Sequence, residues 1–394
     1  MRKIRFIIII SLIAVVGSIL SGCIYKNDSS VTNADSMNDE DMKEPSYEYS
    51  LPLDYATQFS IDYYSDGYVL IQVKDGADYI LVPSGMEKKS LGAANPVFIS
   101  EPENIYLAAS SAMDLFKVLG ELDLIKSCST KASDYSDNDI QKLIEDESIT
   151  YIGKYSAPDY ESLLTYGTDL CIESTMIYHT PKVKKELEEL GLPVLVERSS
   201  YENEPLGRLE WIKLYGVLTG KLSEAEDIFN EAVDKVTRVS ESVFAKSEDE
   251  NDEALKVLFF YISSNGYVNV RKPGDYVTRM IEMAGGEYAL DGIAVDEENA
   301  LSTMNIEWEA FYDYAHDADI IIYNSTIDGG VSSISELIGK NEVLGEFSAV
   351  KNKRVYCSNQ NMFQSTSAVA DIIVDLNKAI NGNNEDLMYL KALD

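Results

Sequence analysis

Between Phe59 and Pro83 apolar and polar residues alternate in three short runs: Ile61-Asp62-Tyr63-Tyr64, Tyr68-Val69-Leu70-Ile71-Gln72-Val73 and Tyr79-Ile80-Leu81-Val82-Pro83. A period of two belongs to strands with one covered face. Asp66-Gly67 and Asp75-Gly76 between the runs are turn formers, so an antiparallel hairpin or meander is predicted over residues 51–98. From Asn104 the pattern changes to short, continuously apolar strands, at residues 105–108, 125–128, 151–153, 170–172 and 194–196, alternating with helical periods. That alternation predicts parallel strands with crossover helices, one α/β lobe over residues 99–202. In its last helix Thr180-Pro181 opens and Gly191 closes.

Residues 203–248 are helical in pattern, interrupted at Gly220-Lys221-Leu222-Ser223. From Ser223 on, Ala225, Ile228, Phe229, Ala232, Val233, Val236, Val239 and Val243 recur at three and four and make one apolar stripe. Ser223 with Glu226 reads as a capping box. A helix of about 25 residues spans about 37 Å, enough to connect two small domains. After the charged break Ser247-Glu248-Asp249-Glu250-Asn251-Asp252-Glu253, a second alternating unit over 254–394 has strands at 257–261, 319–323 and 354–357 and helices at 275–284 and 367–379. The prediction is two Rossmann-like α/β lobes bridged by one long helix. A repeat links them: Tyr160-Glu161-Ser162-Leu163-Leu164 leads to strand Asp169-Leu170-Cys171-Ile172, and Trp308-Glu309-Ala310-Phe311-Tyr312 leads to Asp319-Ile320-Ile321-Ile322.

The chain starts with Arg2, Lys3 and Arg5, an apolar run from Phe6 to Val16, and Leu20-Ser21-Gly22-Cys23. This is the pattern of a secretory signal, residues 1–22, and it resembles the bacterial lipoprotein signal. The resemblance implies acylation of Cys23 and anchoring at the extracellular face of the cell membrane, each buried methylene contributing about 0.8 kcal/mol. An uncut transmembrane anchor is the alternative, with an apolar run at the short end of the roughly 20 residues a bilayer needs. Residues 23–50 are rich in Asn, Asp, Ser and Glu and read as a disordered acidic tether. A formal charge of −34 makes nucleic acid an unfit partner. Cys128, Cys171 and Cys357 are widely spaced within apolar runs and read as buried small hydrophobes.

Several segments in order resemble the substrate-binding lipoproteins of ATP-driven (ABC) importers for iron-siderophores, haem and cobalamin. They are Pro102-Glu103-Asn104-Ile105-Tyr106 with Ser110-Ser111-Ala112, Ile152-Gly153-Lys154 with Pro158-Asp159-Tyr160-Glu161, and Leu190-Gly191-Leu192-Pro193-Val194. Trp211 to Gly220, Met283-Ala284-Gly285-Gly286 and Ala349 to Tyr356 complete the set. The resemblance implies a class III periplasmic-binding-protein-like fold, a monomer, a cleft ligand and an importer permease as partner. It also implies permease-docking glutamates at Glu161 and Glu309. Glu307 is an alternative to Glu309, and either helix-start Glu otherwise interacts with the helix dipole alone, worth about 0.3–1 kcal/mol.

Ligands of open α/β sheets bind beyond the carboxyl ends of the strands. Those loops carry Ser110, Ser111, Lys154, Tyr155, Met176, Tyr178, Arg198, Tyr201, Tyr267, Arg271, Asn324, Met362 and Phe363. Cations beside aromatic rings suit a bulky anionic ligand such as a metal chelate: a ferric siderophore, with haem or a corrinoid as alternatives. Tyrosine is abundant, 26 in all, so many of these are ordinary half-buried residues. No metal site and no cofactor are predicted, since His179 and His316 lie in no ligand-spaced cluster. His179 or Tyr178 as an axial ligand to haem iron stays open. G-x-G-x-x-G, G-x-x-x-x-G-K-S/T, G-x-S-x-G and H-E-x-x-H are absent, so a binder and not an enzyme is expected. A lipid-anchored hydrolase using carboxylates and a ligand sensor are the alternatives.

Overall fold

The computed structural model describes residues 44–247, 253–293 and 303–394. The signal segment, Cys23 and the tether as far as Lys43 lie outside the described residues.

The first sheet is a meander of β1 (Tyr47–Ser50), β2 (Phe59–Tyr64), β3 (Val69–Val73) and β4 (Asp78–Leu81), with β5 (Val97–Ile99) parallel to β4. β1 corrects the tether expectation, which ran to residue 50. Its tyrosines alternate with Glu48, and Tyr49 stacks on Tyr63 at 4.7 Å. Such cross-strand aromatic pairs contribute about 0.2–1 kcal/mol, enough to recruit an otherwise polar segment as an edge strand.

The first lobe has strands β6 (Ile105–Leu107), β7 (Ile125–Cys128), β8 (Thr150–Tyr151), β9 (Leu170–Ser174) and β10 (Val194–Glu197), all parallel in the order β10-β9-β6-β7-β8. Its helices are α1 (Ala112–Leu119), α2 (Asn138–Glu145), α3 (Tyr160–Thr165) and α4 (Pro181–Glu189). Asp137 and Asp159 cap α2 and α3 by accepting from first-turn N–H groups.

Two helices form the spine, α5 (Pro205–Thr219) and α6 (Leu222–Ser247). α6 has 26 residues, a length of about 39 Å. It starts against the meander, where Phe229 meets Tyr55, and by its last turns Val243 lies against Gly285 of the second lobe. The capping box is not formed: Leu222 is already helical, the Lys221 carbonyl accepts from Ala225 N–H at 3.0 Å, and Lys221 pairs with Glu224. Thirteen of the fifteen residues of α5 are buried. The two helices cross closely at Gly216, where a Cβ would stand 2.7 Å from that of Ala225.

The second lobe contains β11 (Leu255–Ile262), β12 (Val268–Arg271), α7 (Tyr276–Met283), β13 (Gly286–Tyr288), β14 (Thr303–Ile306), α8 (Trp308–Ala315) and β15 (Ile320–Tyr323). It continues with α9 (Ile334–Lys340), α10 (Ser348–Lys351), β16 (Val355–Ser358), α11 (Val369–Ile380) and β17 (Leu390–Ala392). β13, β11, β15 and β16 are parallel, as the alternating pattern predicts, whereas β12, β14 and β17 pair antiparallel. Arg271 therefore ends a strand and is not a loop residue.

The repeated Asp has the same task in both lobes. Asp169 accepts from the N–H groups of Glu103 and Asn104 as the chain enters β6, and Asp319 accepts from Lys256 N–H at the start of β11. Each pins its own strand to its neighbour's entry. Two buried glutamates hold the meander on the spine. Glu210 accepts from the N–H groups of Asp54, Tyr55 and Ala56, and Glu202 from those of Thr57 and Gln58 and from the Trp211 indole. One hydrophobic core runs through the meander, both lobes and the spine, and a smaller cluster fills the outer face of the first lobe.

Candidate functional site

The carboxyl ends of β6, β10 and β16 and the start of α7 converge on a cavity of about 110 Å³ between the lobes. Ser111, Ser199, Ser200 and Arg208 line one side, and Tyr276, Met362, Phe363 and Thr366 are among the residues of the other.

Arg208 comes from the first turn of α5. Its Nε donates to the Glu202 carbonyl at 3.0 Å and its Nη2 to the Ser200 carbonyl at 2.9 Å. Its guanidinium lies 3.5 Å from the ring centroid of Tyr276 of the second lobe. Burial pulls its pKa below the ordinary range, and Arg271 acts in the same direction as a like charge. Arg271 is buried, 4.4 Å from the ring centroid of Phe363, with Nη1 3.7 Å from Asp275 Oδ1. Two carboxyls flank the guanidiniums: Asp275, which also caps Val277 N–H, and Glu197, which accepts from Ser199 N–H at 2.7 Å. Burial pushes both upward, against the pull of Arg271 and Arg208 on Asp275 and of the Ser199 hydrogen bonds and Arg208 on Glu197. The wall thus carries one cation, Arg208 against Tyr276, and a second, Arg271, lies behind the ring of Phe363. Such a surface favours planar or bulky anions.

The expected site residues separate into groups. Ser111, Met362 and Phe363 line the cavity, and Arg271 lies directly behind Phe363. Ser110 is half-buried in the preceding turn, its carbonyl accepting from Met113 N–H. Arg198 is turned away from the cleft: its Nη2 reaches Gln58 Oε1 and Asp75 Oδ2, each at 3.4 Å, and its guanidinium covers Tyr201 at 4.4 Å. The meander supplies those acceptors, so Arg198 and Tyr201 belong to its seam with the first lobe. Asn324 is buried and accepts from Thr326 N–H and Oγ1, a local turn lock. Met176, Tyr178, Tyr267 and Lys154 are exposed and outside the cavity lining, and Tyr155 packs half-buried on the outer cluster. Glu161 and Glu309 are exposed in the first turns of α3 and α8.

Arg208 and Tyr276 were missed because they start helices and do not follow strands. The available signal was the charge inside α5: Arg208, Glu210 and Lys213 punctuate a segment apolar on every other side. Away from the cavity, Glu173 of β9 has zero exposure and neither carboxyl oxygen has a hydrogen-bond partner among the described residues. Burial pushes its pKa up to about 8.

A family model described as periplasmic binding protein matches residues 105–361. An uncharacterized lipoprotein of Methanocaldococcus jannaschii is 23% identical over 387 residues, 92% of this chain and 89% of that protein. Among solved structures, a periplasmic haem-binding protein of Pseudomonas aeruginosa aligns over 74% of this chain and 98% of its own, at 18% identity and TM-score 0.58. A periplasmic catecholate-siderophore-binding protein of Vibrio cholerae aligns over 70% and 93%, at 13% identity and TM-score 0.54. At these identities the likeness to the two structures is one of fold.

Proposed function

Because the chain belongs to the periplasmic binding protein family, we propose that it is the capturing component of an ABC importer, taking an anionic metal chelate, foremost a ferric siderophore, into the cleft between its lobes. The observation that carries this reading is a pair of buried guanidiniums at one cavity, Arg208 of the spine stacked on Tyr276 in the lining and Arg271 of the second lobe behind the ring of Phe363. In a chain of net charge −34, a local wall of guanidinium and ring is the place where an anionic, partly apolar solute gains more than it would elsewhere on the surface. Haem or a corrinoid would use the same chemistry. The solute is bound and passed on without being transformed.

Delivery completes the reading. Lipid on Cys23 would keep the protein on the outer face of the membrane, and Glu161 and Glu309 would meet basic residues of the permease. Their exposure and matching positions in the two lobes support this role.

The test is a tryptophan-fluorescence titration of ferric trihydroxamate, ferric tris-catecholate, haemin and cobalamin. One class should bind at 1:1, and Arg208→Gln together with Arg271→Gln should weaken it at least tenfold. Saturable binding unaffected by both substitutions would remove the cleft from the reading.

A further inference from the structure

Pockets that accept ligands of this size run to about 300–1,000 Å³, whereas the inter-lobe cavity measures about 110 Å³. The difference is filled by the chain itself. Between β16 and α11, Met362 is buried at the cavity wall and Phe363 covers the Arg271 guanidinium, its ring 6.3 Å from that of Tyr276. The next residue crosses to the other lobe. Gln364 Oε1 accepts from Ser136 N–H at 2.9 Å, and Gln364 Nε2 donates to the Asp134 carbonyl at 2.7 Å.

We infer that residues 360–365 form a plug that occupies the solute's place in this conformation, with Gln364 as the latch that fastens it to the first lobe. This deepens the cleft reading and rests on it for the identity of what displaces the plug. The segment is built to move as a unit: Gln364 and Ser365 N–H both donate to the Asn361 carbonyl, closing the turn on itself. Its two ends are tied independently of the latch. Asn359 N–H donates to the Tyr389 carbonyl, while Thr366 Oγ1 donates to the Ser111 carbonyl and Ser367 N–H to Asp114. Releasing Gln364 therefore frees the middle of the segment and leaves α11 seated. As it swings out, Phe363 uncovers Arg271, and Met362 vacates the wall beside Arg208. Apparent affinity is then reduced by the fraction of molecules that are plugged, so weakening the latch raises it.

Gln364→Ala in the full chain separates the two layers of the inference. Without any solute, hydrogen exchange should accelerate at least tenfold at the Ser136 amide, which loses its acceptor, and across 361–365, while the amides of α11 keep their wild-type protection. Unchanged exchange at Ser136 and 361–365 would overturn the plug. In a second arm, stopped-flow association of whichever of ferric trihydroxamate, ferric tris-catecholate and haemin binds wild type should be at least threefold faster in the variant. An equal or slower rate would also overturn it. If neither these three probes nor cobalamin binds either protein, the cleft reading fails, and the plug is judged by the exchange result alone.

Discussion

Replacing Glu173 by glutamine removes a charge site and keeps its shape, so the variant isolates what this buried carboxyl costs the fold. Its environment lifts it from 4.5 to about 8, through burial as the sole cause. The folded chain therefore holds the proton more tightly than the unfolded chain. Stability from this group is complete below pH 4.5, falls progressively from there to about 8, and is fully lost above. At about 1.36 kcal/mol per unit, the whole loss is about 5 kcal/mol, of which about 4 kcal/mol falls between pH 5 and pH 8.5. Urea denaturation followed through buried Trp211, at a series of pH values, measures it. The unfolding free energy of Glu173→Gln minus that of wild type should be near zero or slightly unfavourable at pH 5 and should rise by several kcal/mol by pH 8.5. All other titrating groups are common to both proteins and cancel. Parallel stability curves across this range would mean that Glu173 finds a partner or water in solution and that the reasoning is wrong.

Glu161→Arg with Glu309→Arg should leave solute affinity within twofold of wild type and abolish uptake in cells carrying the importer; normal uptake would remove the docking assignment. Glu202→Ala strips the acceptor from exposed Thr57 and from two enclosed donors, the Gln58 N–H and the Trp211 indole. At about 1–3 kcal/mol for each of the two buried donors left unpaired, a loss of about 2 kcal/mol or more is expected, read as a fall in Tm and as early proteolysis of residues 54–73.

Much of the architecture was legible along the chain. The meander strands, the parallel strands of the first lobe and the 3.6-residue stripe of α6 are signalled by residues within a few positions of one another, where the period of side-chain burial is itself the information. The twin Asp-led strands were visible too, although only the folded sheets bring Asp169 and Asp319 to the main chain they pin. The site was less legible. Arg198 and Arg271 look alike in sequence, a cation at the end of an apolar run, yet the meander captures the first and the cleft receives the second. Which way each turns depends on Gln58 and Asp75, more than a hundred residues away from Arg198, and on the antiparallel register of β12. Arg208 and Tyr276 stand 68 positions apart and become one stack only when α5 and α7 are packed. Local periodicity decides which residues are buried. The partner each one meets, and whether the cleft stands open or is filled by Phe363, is decided by long-range packing, because contact geometry between distant segments leaves no periodic trace in either.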